Sequence, residues 1–542
     1  MSYLWSRLKS LSHSKRAQVV LFSSTAIALY GYDQGMMSLI NTNNDYLSRM
    51  RISGDSPVVG IIVSVYYLGC SVGAVLFSWF ADQFGRKRAI FMCLATASLG
   101  NFIMFMAGLG GMRKALAVMF LGRVIMGLGV GGIDSVIPVY SAELAETEKR
   151  GRAMGQEFQM NIFGLCMAFG INLVVTVVLG KENQWAWRIP IIVMQAYPVL
   201  LLACIELLPE SPRYYIYHGR EEDARRACHE IDPKDGEKKF EDLKESHERE
   251  ADQPVSYFNM ITPGHPQFHP TMVTIMCQIN QALTGYGAVS VYGPQIFELL
   301  GFGFRNAEYL TMGNYTSYLF LMTFAWLLID AIGRRKLLLG GSIVLTSCFL
   351  LLAIFGGLAM NSQGKSAPLD VPTIAFSIPG IVTLYVATGA FGIGWLATVW
   401  VNTFLSPVDR IMTDPVTLQL IPTEIYPTTA RAQAAAISVI IWGLANFTIT
   451  LLTPIMFNNL RYWLFLVFAA SNGIAGLWTW AYLPESGGRS FEENQRFFDD
   501  AAKEGTWQVR KIEGELHKEG FGHTLLCMIK YMDAQDTVDL DF

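Results

Sequence analysis

The chain has 542 residues, of which 52% are hydrophobic and only 16% charged, with a formal net charge of −4. Soluble domains carry about 25% charged residues, so a water-soluble globule is excluded, and the slightly acidic balance speaks against nucleic acid as a partner. Apolar runs long enough to cross about 30 Å of hydrocarbon recur along the whole length, which predicts an all-α membrane protein.

The N-terminus, MSYLWSRLKSLSHSKR, is short, polar and basic, with no cleavable-signal pattern before the first apolar run. That run is read as a retained helix. Apolar windows predict twelve spans, at 17–40, 57–80, 88–110, 115–140, 153–179, 187–208, 269–300, 309–329, 336–359, 374–400, 432–456 and 460–483. They divide the chain into an N-terminal six-helix bundle (1–208), a linker (209–268), a C-terminal six-helix bundle (269–483) and a polar tail (484–542). The linker contains REEDARRACHE and EKKFEDLKESHERE, whose charge spacing predicts short solvated helices. Lysine and arginine cluster in GRKR (85–88), EKRGR (148–152), GRRK (333–336) and the linker. The positive-inside rule then puts these loops and both termini in the cytoplasm; Arg49, Arg51, Arg113 and Lys114 oppose it but are outnumbered.

Eight cysteines are scattered, mostly in apolar runs, without C-x-x-C or Cys/His clusters, so neither a disulfide framework nor a metal site is expected. No nucleophile–base pair or phosphate-binding loop suggests catalysis or a cofactor. GLGVGG (127–132) has the look of a nucleotide motif, but it lies mid-span, where small residues let helices pack closely. The sequon at Asn314 sits at the edge of the eighth span.

The two halves repeat. DQFGRKRAI (82–90) is echoed by DAIGRRKLL (330–338), and AELAETEKRGRA by TEIYPTTARAQA. PESPRYY (209–215) closes one half and PESGGRSF (484–491) the other. Duplicated sets of helices are the architecture of transporters whose halves rock about a central site. Asp82, Arg86, Glu143 and Arg150, with their counterparts Asp330, Arg334, Glu424 and Arg431, are placed to form ion pairs at the inner helix ends. Such pairs hold in one state and break in another; the plainer alternative is that they only anchor topology.

One acid interrupts the first apolar run, Asp33 in STAIALYGYDQGMMSLI. An intramembrane charge is expensive and needs a partner. Arg123 in FLGRVIMG, the basic residue deep in the fourth span, is the candidate. Asp134, further along that span, is a weaker candidate for a proton path.

The motifs GYDQG, ADQFGRKR, GRVIMGLGVGG, PVYSAELAETEKRGR, PESPRYY, DAIGRRK, IPTEIYPTTAR and PESGGRSFEE make the chain resemble the sugar porter family of the major facilitator superfamily, most of all its fungal branch, over about residues 20–495. The resemblance implies twelve helices in two pseudo-symmetric bundles, alternating access, and import of a sugar or polyol. It implies proton symport through Asp33 and Arg123, which occupy the positions of the acid and arginine in proton-coupled members. It also implies a monomer in the lipid bilayer, in the plasma membrane. Two alternatives stay open: facilitated uniport with Asp33 and Arg123 as a permanent structural pair, and a non-transporting nutrient sensor, disfavoured by the modest tail.

Substrate contacts match the family less well. Gln278, Asn280, Gln281, Trp400 and Asn446 offer amides and an aromatic face for a hydroxyl-rich ligand. Ala282 and Gly287 stand where the family's second Gln and its Asn belong, and Phe158 replaces the fifth-helix Gln. Tyr318 falls at the polar position of the eighth helix. Residues 401–419, VNTFLSPVDRIMTDPVTLQ, interrupt the family spacing between Trp400 and Glu424 and hold charges and prolines unsuited to a span. Removing them restores TVWLIPTEIYP, which reads as an unspliced intron or else as a genuine extension; the sequence of the spliced transcript decides.

Overall fold

The computed structural model describes residues 15–54, 56–111, 114–144, 150–233, 236–250, 256–362, 371–396, 398–399, 431–485, 497–498, 500–501 and 503–512. Within these it covers all side chains save those of 16, 111, 150–157, 246, 249–250, 326–327, 329–331, 359–362, 371–377, 431–432 and 510. Twelve helical segments answer to the expected spans. In the first half they are α1 (Lys15–Ile40), α2 (Pro57–Phe84), α3 (Arg86–Met106), α4 (Ala115–Leu144), α5 (Arg150–Leu179) and α6 (Gln184–Cys204). In the second they are α7 (Phe268–Leu283), α8 (Phe304–Ile332), α9 (Arg334–Ser362), α10 (Val371–Ala390), α11 (Arg431–Leu460) and α12 (Trp463–Tyr482). Nine of them are, among the described residues, long and apolar enough to cross a membrane. The linker holds short helices at Pro212–Tyr217, Glu221–Ile231, Gly236–Glu250 and Tyr257–Ile261.

Lipid offers no hydrophobic drive between helices, so close approach must come from small residues. Gly31 and Gly35 of α1 lie against the carbonyls of Asn161 and Leu165 in α5, and a Cβ at either would collide with them. The glycines of GLGVGG do the same for α4: Gly127 meets Tyr66 and Gly131 meets Cys70 of α2. The motif is a packing face.

Two expected spans are not continuous helices. The seventh breaks after Leu283, turns through Gly285 at φ 82°, and resumes as Tyr286–Val291 and Gly293–Leu299. Broken helices survive in membranes when freed backbone groups find partners. Here Ser471 of α12 donates to the Leu283 carbonyl at 2.6 Å, and Asn472 donates to that of Thr284 at 3.1 Å. The tenth span ends in a π-helical turn, Phe391–Leu396, a feature that frequently marks functional sites.

The closing motifs of the halves cap the helices that follow the basic loops. Glu210 of PESPRYY accepts the backbone N–H of Arg86 at 2.9 Å and of Lys87 at 3.1 Å, at the start of α3. Glu485 of PESGGRSF accepts those of Arg334 at 3.0 Å and Arg335 at 3.4 Å, at the start of α9. Gly85 (φ 102°) and Gly333 (φ 94°) make the sharp entries. Burial pushes the Glu210 carboxyl above the usual carboxylate range, while the N–H groups of Ser211, Lys87 and Arg86 pull it back down. Loss of a helix cap costs about 1 kcal/mol. Glu210→Ala and Glu485→Ala should therefore each lower the thermal midpoint of detergent-purified protein by similar amounts, with Gln losing less than Ala. A midpoint unchanged in either Ala variant would contradict the capping role.

Candidate functional site: a cavity between the halves beside a buried ion pair

Asp33 and Arg123 meet as expected from the sequence. One guanidinium nitrogen, Nη1, donates to both carboxylate oxygens, at 2.6 and 2.8 Å, and each side chain is 1% exposed. The remaining donors turn to α2: Nε reaches the Ile62 carbonyl at 3.3 Å and Nη2 the Val63 carbonyl at 3.2 Å. The guanidinium also lies over the Tyr66 ring, 4.6 Å from its centroid. Two opposite charges buried together are tolerable only when their remaining hydrogen-bonding capacity is met, and here carbonyls and an aromatic face meet it. The pair joins α1, α2 and α4.

Next to it, helices of both halves enclose a cavity of about 40 Å³. The first half contributes Tyr30 and Gln34 from α1, Asp134 from α4, and Phe158 and Asn161 from α5. The second contributes Gln281, Tyr286 and Ser290 from the seventh span, Phe391 from the π turn, and Trp442 and Asn446 from α11. Gln34 donates to the Tyr30 hydroxyl at 2.6 Å. Trp442 meets Tyr30 and Tyr67 edge to face at 5.5 and 5.3 Å, and Tyr286 stacks on Phe391 at 4.1 Å. Amides beside aromatic faces suit a solute that presents hydroxyls and C–H surfaces.

Of the substrate residues expected from the sequence, Gln281 and Asn446 line this cavity. Gln281 donates to the Trp395 carbonyl at 3.3 Å and Asn446 to that of Trp442 at 2.9 Å. Gln278 and Asn280 do not line it: Gln278 is buried and donates to Ser438 of α11 at 2.5 Å, and Asn280 is likewise buried. Gln278, one turn before Gln281, is committed to packing against α11 instead. Trp400 lies outside the described residues. The noncanonical positions Phe158, Ala282 and Gly287 all border the cavity, and a Cβ at 287 would stand 3.0 Å from the Asn446 Oδ1. Tyr318 is fully buried beside Tyr286, with centroids 5.1 Å apart. Trp442, Tyr30 and Gln34 went unremarked in the sequence; the signal was present in Tyr30 three residues before Asp33, Gln34 next to it, and Trp442 four residues before Asn446.

At the basic-loop end, Arg86 pairs with Asp82 at 2.7 Å and Glu143 at 3.3 Å. Arg334, 4% exposed, is buried at the matching position. The side chains of Arg150, Asp330 and Arg431, and all of Glu424, lie outside the described residues. The opposite end carries a bridge between halves that the sequence did not announce. Lys181, just beyond α5, meets Glu308 of α8 at 3.0 Å, and Arg305 meets the same carboxylate at 2.9 Å. Glu308 is fully buried; burial pushes the Lys181 ammonium down, and the contact with Glu308 opposes that. Deeper along the same seam, Cys166 donates to the Tyr315 carbonyl at 2.9 Å and Gln159 to Thr323, also at 2.9 Å.

These features are those of a two-bundle membrane transporter with a central cavity between the bundles. The model of the family described as "Sugar (and other) transporter" matches residues 19–404 and 415–498, and the chain belongs to that family. It is a multi-pass membrane protein and not an enzyme. The break in the match, 405–414, falls inside the 401–419 segment. The chain is 30% identical to the glucose transporter GlcP of Staphylococcus epidermidis over 86% of its length and 93% of that protein. It is 27% identical to the sugar transporter STL1 of Saccharomyces cerevisiae, over 91% of this chain and 83% of that one. Its fold matches the proton:xylose symporter XylE of the major facilitator superfamily bound to 6-bromo-6-deoxy-D-glucose, with a TM-score of 0.69, 21% identity, and coverage of 89% of this chain and 99% of that one.

Glu308 without Lys181 keeps one cation, in Arg305, but loses its tie to the first half. Lys181→Ala should therefore favour opening at this end. Labelling of Cys166 by a membrane-impermeant maleimide, located by mass spectrometry, should rise severalfold; unchanged labelling would show that the bridge does not hold the halves together.

Proposed function

We propose that the protein imports a sugar or polyol by proton symport, its two halves rocking about the central cavity. The observation that carries this reading is the pairing of a hydroxyl-suited cavity with a wholly buried Asp33–Arg123 bridge beside it. The sugar transport named for GlcP and STL1 and the proton:xylose symport named for XylE support it. Proton binding to Asp33 weakens its hold on Arg123, frees α1 to move against α2 and α4, and so couples proton entry to closure around the solute. The ion pairs of Arg86 and, by repeat, of Arg334 with Glu424 act as the gate at the basic-loop end, which the positive-inside rule places in the cytoplasm. The protein works as a monomer in the plasma membrane, and 401–419 is an insertion into the family pattern.

Facilitated uniport is the second reading. It is favoured by the completeness of the Arg123 contacts, which would suit a permanent structural pair. The two separate in a transporter-deficient yeast given labelled D-glucose, D-xylose, D-sorbitol and maltose. Symport predicts accumulation above the external concentration, up to about tenfold per pH unit at one proton per solute, collapsing on addition of a protonophore. Equilibration alone, indifferent to the protonophore, would establish uniport; no uptake of any of the four would remove the solute class.

A further inference from the structure

The cavity is lined by an acid that the coupling mechanism does not use. Asp134 of α4 is 4% exposed and lines the cavity, and its Oδ2 has no hydrogen-bond partner among the described residues. Nor, among the described residues, does any cation pair with it. Arg123 lies three turns back along the same helix, about 16 Å away at 1.5 Å per residue, and both Asp33 oxygens already occupy it. The groups that act on its charge are Tyr30 of α1 and Tyr66 and Cys70 of α2, and those that share the cavity lining with it include Phe158 and Asn161 of α5, Gln281 of α7, and Trp442 and Asn446 of α11. None is a lysine, arginine or histidine.

An ionised carboxylate here would be a lone charge in a site walled by aromatic rings, the arrangement proteins avoid by neutralising the group. The charge balance of the region closes if Asp33 and Arg123 cancel and Asp134 carries a proton. A protonated carboxyl is both donor and acceptor, whereas the cavity's amides Gln281 and Asn446 have already committed donors to backbone carbonyls. Each of those amides keeps a second N–H, and the Tyr30 hydroxyl that accepts from Gln34 keeps its own proton, so a neutral Asp134 adds a further donor to the site. We propose that Asp134 is a solute-contacting residue that works as a neutral acid, donating its proton in a hydrogen bond to a solute hydroxyl oxygen. This rests on the reading of the cavity as the solute site and adds the residue and protonation state that select the solute.

Two measurements test it. The first needs no solute: infrared spectra of the purified full-length protein in lipid vesicles, titrated with pH. A carbonyl stretch of a protonated carboxyl at neutral pH should vanish in Asp134→Asn and persist in Asp33→Asn. A band untouched by Asp134→Asn, or no such band in the wild type, overturns the proposal, whatever the solute proves to be. The second is exchange of whichever of D-glucose, D-xylose, D-sorbitol or maltose the wild type carries. A neutral hydrogen bond is worth about tenfold in affinity, so Asp134→Ala should raise KM about tenfold and Asp134→Asn, which keeps a donor, less. The wild-type KM should climb as alkaline pH ionises the acid, and that climb should be absent in Asp134→Asn. Equal losses in both variants, together with tighter binding of D-glucosamine than of D-glucose, would mean that an anion binds a cationic solute and would overturn the proposal. If none of the four solutes is exchanged, the sugar reading fails, while the infrared result still decides the state of Asp134.

Discussion

A carboxylate and a guanidinium, each 1% exposed, face one another between α1 and α4, and neither can leave the other cheaply. Removing one partner of a buried pair leaves an uncompensated charge, at a cost of about 3–5 kcal/mol. The surrounding helices are arranged around that constraint. The carbonyls of Ile62 and Val63 and the face of Tyr66 bind α2 to it. The glycines of α1 and α4 then let their neighbours approach to backbone contact. Anything that changes the charge on Asp33 acts at once on three helices of one half.

Further out, the chain repeats a simple device. In each half a glutamate from a Pro-Glu-Ser motif caps the helix that follows a basic loop, with a left-handed glycine making the entry. The caps hold the basic loops in place, and Arg86 within one of them pairs with Glu143 of α4. At the opposite end, Lys181 and Glu308 tie the halves directly. Both ends are paired in this arrangement, Arg86 with Glu143 inside the first half and Lys181 with Glu308 between the halves, so it is the second pair that must break for the halves to part at its end. The cavity lies between them, bordered by both halves.

Much of this was legible in the sequence, for identifiable reasons. Apolar windows found twelve spans because hydrocarbon imposes length and composition on every one. Asp33 and Arg123 stood out because charge is rare in such runs. The Glu143–Arg86 contact was foreseeable from repeated motifs. The break in the seventh span was not, since its partners Ser471 and Asn472 lie nearly two hundred residues away. For the same reason Gln278 looked as suited to a solute as Gln281; only the turn of the helix against α11 separates a cavity amide from a packing amide. Trp442 carried no motif and became visible only through its neighbours Tyr30 and Tyr67.

The central claim is that the charge on Asp33 links proton to solute. The most direct measurement compares wild type and Asp33→Asn in vesicles, by solute accumulation under a pH gradient and by solute exchange without one. The account predicts that the variant loses accumulation while exchange stays measurable, which also shows that it is folded. Accumulation by Asp33→Asn equal to that of the wild type would contradict it.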